Sequence, residues 1–203
     1  MRNIINIVFA LAVFAMVTGC STMSGHMKLT PEAEPKPSDD KALLVFLRPS
    51  AYGGAIQASL YDVTNDDIEF IGISSHQTKV PYMVEPGEHK FMVVGESADF
   101  MKATLEAGKT YYAVVSPRMG FWKARFSFKP IRRTGEGDFT VSSEDFAAWL
   151  KNGKFVEKQP TADIWYEENK SDIRAKRAKY WPAWEGKAAA EKQNQTMNAD
   201  DGI

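Results

Sequence analysis

From Lys41 to Arg133 the apolar residues come in short runs separated by turn-forming residues, and no run keeps a helical period. Ala42-Leu43-Leu44-Val45-Phe46-Leu47 is unbroken by polar residues and ends at Arg48-Pro49, which predicts a central strand buried on both faces. Residues 56–61 and 68–73 flank Asn65-Asp66-Asp67, a polar cluster suited to a hairpin turn. Residues 78–84 contain Pro81, whose missing amide hydrogen predicts an edge or kinked strand. Strands follow at 89–94, 100–105 and 110–115, bounded by Pro86-Gly87 and Ala107-Gly108-Lys109. Beyond a turn at 117–120 the alternation is clean: Trp122, Ala124, Phe126 and Phe128 share one side, Lys123, Arg125, Ser127 and Lys129 the other. The expected fold is all-β, a small antiparallel β-sandwich or open barrel over 41–135 with a C-terminal helical extension over 136–185.

In that extension Ser142 or Ser143 can cap a helix over 144–151 ended by Gly153, and Pro160-Thr161 opens a second over 162–180, stopped by Pro182. The second helix mixes Trp165, Tyr166, Tyr180, Trp181 and Trp184 with Lys170, Arg174, Lys176, Arg177 and Lys179. A membrane-surface helix would separate a broad apolar face from a basic one. Here Tyr166, Ile173 and Tyr180 form only a narrow stripe, so docking on the sheet is expected. A protein partner contacting Trp165, Tyr166, Ile173, Tyr180 and Trp184 is the alternative. Residues 186–203, rich in Ala, Lys, Gln and Asn, predict a frayed or disordered tail.

The chain opens with Arg2, an apolar stretch over 4–17 and small residues, the layout of an export signal over 1–19. Spanning a bilayer takes roughly 20 apolar residues, more than this stretch offers. Residues 20–40 carry Ser, Thr, Gly and three prolines without apolar periodicity, which predicts a tether with a reach on the order of 25 Å. The run Val17-Thr18-Gly19-Cys20 resembles the lipobox of bacterial lipoproteins. That resemblance implies a diacylglyceryl group on the Cys20 thiol, cleavage before Cys20 and an acylated new amino terminus. Several acyl chains, at about 0.8 kcal/mol per buried methylene, would make anchoring durable. Ser21 follows the cysteine where an aspartate commonly marks inner-membrane retention, so the resemblance implies an outer-membrane, periplasm-facing lipoprotein.

Charge is balanced, with 25 basic and 26 acidic residues, and nothing favours a nucleic-acid partner. The sequence shows no cofactor or metal motif. His26, His76 and His89 are widely separated, and lipidation would consume the single cysteine. Ser74-Ser75-His76 lacks the nucleophile elbow of a hydrolase, and Gly53-Gly54 lacks the Lys of a phosphate loop. Asp62, Asp66, Asp67 and Glu69 miss the EF-hand spacing and read as a solvated turn. Lys123, Arg125 and Lys129 could contact an anionic glycan or lipid headgroup.

Arg48-Pro49, Val84-Glu85-Pro86-Gly87-Glu88-His89 and Ala107-Gly108-Lys109-Thr110-Tyr111-Tyr112 resemble an uncharacterised domain family of predicted bacterial lipoproteins. The resemblance implies an all-β envelope domain and supplies no site residues. The expected function is a membrane-anchored, non-catalytic binding or scaffolding module with an envelope protein partner. Its alternatives are an envelope hydrolase or glycan- or lipid-modifying enzyme with a non-local site, and a structural subunit docking through its C-terminal helix.

Overall fold

The computed structural model describes residues 23–30, 34–118 and 124–203. Cys20, the export leader and Lys123 lie outside the described residues. Among the described residues there are eleven strands: β1 (Met27–Leu29), β2 (Ala42–Leu47), β3 (Ala58–Asp62), β4 (Glu69–Ser74), β5 (Thr78–Val84), β6 (Gly87–Val94), β7 (Ala98–Leu105), β8 (Thr110–Arg118), β9 (Arg125–Pro130), β10 (Lys154–Lys158) and β11 (Thr196–Met197). The helices are α1 (Glu144–Asn152), α2 (Pro160–Glu185) and α3 (Ala189–Gln193).

Two sheets form, ordered β1-β10-β5-β2-β8-β9 and β11-β7-β6-β3-β4. Alternation along β2 assigns its side chains. Ala42, Leu44 and Phe46 enter the core between the sheets, where Phe46 meets Phe91 of β6 at 5.7 Å and Phe128 of β9 at 5.5 Å. Each such aromatic removed from water contributes roughly 1.5–3 kcal/mol. Leu43, Val45 and Leu47 point the other way, against Tyr112, Val114, Ile131 and Phe146 of α1. The second sheet is covered by α2, whose Tyr166 stacks on Phe70 at 5.3 Å. A helix therefore lies outside each sheet, and the molecule is mainly β rather than all-β.

Strand pairing corrects the antiparallel expectation, because both sheets are mixed: β2–β8, β5–β10 and β7–β11 run parallel. Burial of β2 on both faces fits a strand in parallel pairing beneath a helix. β5 lies between β10 and β2 rather than at an edge, and Pro81 is tolerated because β10 pairs only with Thr78 and Lys79 and so has no partner for Pro81 on that side. The second helix also runs past its expected stop, with Pro182 in its last turn. The bond lost there is to the carbonyl of Ala178, an exposed residue whose oxygen water can reach.

Two segments expected to be loose are built into the sheets. In the tether, β1 pairs antiparallel with β10, the Ser24 amide donates to Ser75 Oγ at 3.1 Å, and Met27 is 1% exposed. In the tail, β11 extends the second sheet, and Thr110 and Ile203 exchange backbone hydrogen bonds at 2.8 and 3.0 Å. Arg132 fastens the same tail through Thr196 O at 2.7 Å, Gln193 O at 2.9 Å and Asp201 Oδ2 at 2.6 Å. Polar composition suggested fraying, yet Gln195 and Asp201 are buried because each finds a partner.

Candidate functional site

The helix α2 docks through a narrow stripe and leaves an open groove beside its C-terminal half. Ala162, Tyr166, Ile173 and Trp184 are buried on the sheet, and Trp181 meets Phe100 edge-on at 4.9 Å. The groove, about 480 Å³, is bounded by Val63 and Asp66 after β3, Lys90 on β6, and Arg174, Arg177 and Trp181 on the helix. Arg177 donates to the carbonyls of Val63, Asn65 and Asp66 at 3.3, 3.1 and 3.0 Å, which fixes the helix against the β3–β4 loop. Arg174 lies 4.0 Å from the fully exposed Asp67 carboxylate, and Lys90 Nζ sits 5.6 Å from the Trp181 ring centre. Among the described residues no carboxylate reaches ion-pair distance of Lys90 or Arg177. The groove thus presents cations beside an aromatic wall, a combination suited to an acidic ligand.

A second groove, about 440 Å³, flanks the N-terminal half of α2 and contains His26, Ile56, Glu96, Trp165 and Lys176. Lys176 is committed to Asp172 at 2.8 Å and Gly95 O at 3.1 Å. Its charges are therefore largely balanced from within.

The polar cluster nearest to catalytic geometry is Asp62, Thr64, Tyr82 and His89, at the end of the sheets where β3 finishes and β6 begins. His89 Nδ1 lies 3.2 Å from Asp62 Oδ2, and Nε2 lies 2.9 Å from Glu85 O. Both partners are acceptors, so the ring satisfies both only as imidazolium. Burial alone would lower the His89 pKa, but the bond to Asp62 and its charge carry it above the ordinary value. For Asp62, burial alone would raise the pKa, and donation from His89 and Thr64 outweighs it, holding the carboxyl below the ordinary range. Burial raises the Tyr82 phenol, helped by the Asp62 charge. With both nitrogens occupied, His89 has no lone pair to offer a nucleophile. The cluster is a structural lock rather than a base.

Arg48 is a second buried ion with a structural task. Its side chain is 1% exposed, and Nη2 donates to Gly53 O at 3.1 Å and Ile56 O at 3.2 Å. The guanidinium stands 4.4 Å over the Phe126 ring, while Nε and Nη1 have no partner among the described residues. Burial lowers its pKa to about 10. Arg48 therefore pins the loop over 49–57 from beneath.

The residues singled out in the sequence are not brought together. On β9, Arg125 is exposed and Lys129 half-buried, whereas Ser127, expected on their wet side, is buried and donates to Asp99 Oδ2. Trp165, Tyr166, Ile173, Tyr180 and Trp184 are spent within the chain: Tyr166, Ile173 and Trp184 are buried, and Trp165 and Tyr180 pack half-buried against the same core. A partner must meet α2 through its outer side or the groove. His26 lies 6.1 Å from Trp165, His76 stands beside Gly54, and neither approaches His89's cluster. No group of three His, Cys, Asp or Glu among the described residues could hold a metal. Asp67 points fully into solvent while Asp62 turns inward, so the acidic turn does not converge.

Lys90 and Trp181 were not legible as a pair. Lys90 interrupts an apolar strand and Trp181 lies in a mixed helix, and only the crossing of α2 over β6 joins them. No described helix is long and apolar enough to cross a membrane. No family model matches the chain, and no curated protein matches it.

Proposed function

We propose that the protein is a membrane-anchored envelope lipoprotein whose β-sandwich domain acts by binding, without catalysis, at a periplasm-facing surface of the outer membrane. Anchoring rests on Cys20 behind its apolar leader. The observation that supports binding is the groove of Lys90, Arg174, Arg177 and Trp181, an open cationic and aromatic surface on a helix that Arg177 fastens to the β3–β4 loop. Its complement is an acidic segment of an envelope protein, whose carboxylates would pair with Lys90 and Arg174 while an apolar residue covers Trp181.

The test is crosslinking and pulldown from intact envelopes with wild type and a Lys90→Glu/Arg174→Glu variant. Both side chains lie on the surface of the groove, so the variant should fold. Loss of a reproducibly captured protein on charge reversal supports the reading. Identical capture by both forms would contradict it.

A further inference from the structure

The two ends of the paired sheets differ in chemistry. At one end β2 and β8 finish and β3 and β9 begin, placing the 49–57, 75–77 and 95–97 loops together. Residues 49–57, Pro-Ser-Ala-Tyr-Gly-Gly-Ala-Ile-Gln, carry no charged side chain. Two large apolar side chains project there into solvent, Tyr52 at 57% and Ile56 at 43% exposure. Arg48 holds the backbone beneath them, so their presentation is fixed rather than incidental. Arg118 and Arg125 face one another across β8 and β9 at this end, both exposed; Glu96 is the one acid in these loops, and Asp99 at the start of β7 lies 3.9 Å from Arg118, leaving Arg125 without a carboxylate partner among the described residues. The opposite end is highly charged with both signs: Asp39, Asp40, Asp66, Asp67, Glu85 and Glu106 lie among Lys41, Lys90, Lys109 and Arg174, and Lys41 pairs with Glu85 and Lys109 with Glu106.

The described amino-terminal segment starts at the end that carries the 49–57 loop. Ser24 is bonded to Ser75, and His76 packs beside Gly54 of the apolar loop. Only Ser21, Thr22 and Met23 separate Cys20 from Ser24. Four Cα steps reach at most about 14 Å, while the headgroup layer of one leaflet is roughly 5–8 Å deep. An acylated Cys20 therefore holds Ser24, and the loops around it, against the lipid surface.

We propose that this end is the bilayer-apposed surface, with the Tyr52–Ile56 loop seated among the headgroups and Arg118 and Arg125 beside anionic lipids. Tyrosine suits that depth because its ring is apolar and its hydroxyl stays wet. The proposal rests on lipidation of Cys20.

The test uses the full lipidated protein in vesicles of phosphatidylethanolamine and phosphatidylglycerol. Single variants Tyr52→Cys, Ile56→Cys, Asp67→Cys and Glu106→Cys carry an environment-sensitive fluorophore. Acylation occupies the only native thiol, so labelling reports the introduced site. Labels at 52 and 56 should lose most of their emission to a headgroup-attached quencher, and labels at 67 and 106 should keep theirs. Equal quenching at all four, or the reverse pattern, overturns the orientation. Labels at 52 and 56 that are shielded from an aqueous quencher but untouched by the lipid quencher assign the loop to a protein partner and also overturn it. The mass of the amino-terminal peptide from the same sample separates the two claims: acylated Cys20 with equal quenching defeats the orientation alone, and an unacylated terminus defeats both.

Discussion

His89 shows how a residue that looks available for chemistry can be fully committed. Its raised pKa stabilises the fold completely below its ordinary value of 6.5, and that stabilisation is lost as pH rises through the folded value. Asp62 works in the other direction: its contribution is complete above 3.8 and is lost as pH falls through the lowered folded value. The pair contributes most between those limits. Thermal midpoints of wild type should therefore decline as pH rises above 6.5 and through the raised folded value. His89→Gln should flatten that decline, with the two proteins converging at alkaline pH; parallel curves would remove the lock.

Arg48 allows a different outcome. An incompletely bonded buried charge replaced by an apolar side chain of similar length can be nearly neutral, so Arg48→Met should change stability by no more than about 1–2 kcal/mol. Hydrogen exchange at Gly54 and Ile56 should nevertheless accelerate, because the loop loses its two carbonyl anchors. Gly202 has an ordinary φ of −72°, yet a Cβ there would stand 2.6 Å from Tyr111 Cζ. Gly202→Ala should cost about 1–3 kcal/mol in urea unfolding through crowding alone. None of these roles was legible in sequence. Asp62 and His89 meet only across adjacent strands and Gly202 meets Tyr111 from far along the chain, while Arg48 reaches nearby carbonyls through a loop whose path no local pattern fixes.

At the scale of elements, local pattern was a good guide wherever one face was apolar. The apolar run gave β2 its exact span of Ala42–Leu47, and Ser143 caps α1 by accepting from the Phe146 amide at 3.1 Å. Pairing was not legible, because parallel contact between β2 and β8 leaves no mark distinct from any other buried strand. The tail escaped for a related reason: its buried groups are mostly polar. Gln195 accepts from Trp184 Nε1 at 3.2 Å and donates to Asp99 Oδ2 at 2.7 Å, and Lys187 reaches Asp99 Oδ1 at 2.8 Å. This knot ties α2 and the tail to β7. Asp99→Ala should cost about 3–5 kcal/mol in urea unfolding, because it leaves buried partners unpaired. A variant unfolding like wild type would mean that the tail contributes little. Ile173→Ala, in contrast, tests the apolar side of α2. A loss of about 2–5 kcal/mol is expected if the helix belongs to the core, and a negligible loss if its stripe is reserved for a partner.

For the whole molecule, the largest revision concerns the tether. Its composition suggested freedom, but Ser24 to Leu29 is stitched to β10 and the 75–77 loop, so little slack remains after Cys20. An acylated Cys20 would hold the domain close to the lipid and give it a near end and a far end. The cationic groove beside α2 lies toward the far end, reached by Val63 and Asp66. An acidic partner segment would therefore meet Lys90 and Trp181 away from the lipid, flanked by carboxylates that restrict its register.

All of this depends on the anchor. The direct measurement is mass spectrometry of the amino-terminal peptide of the protein extracted from membranes. The account predicts a chain beginning at Cys20 with a diacylglyceryl thioether and an acylated amine. A chain that retains Met1, or begins elsewhere with a free thiol or no cysteine, would contradict it.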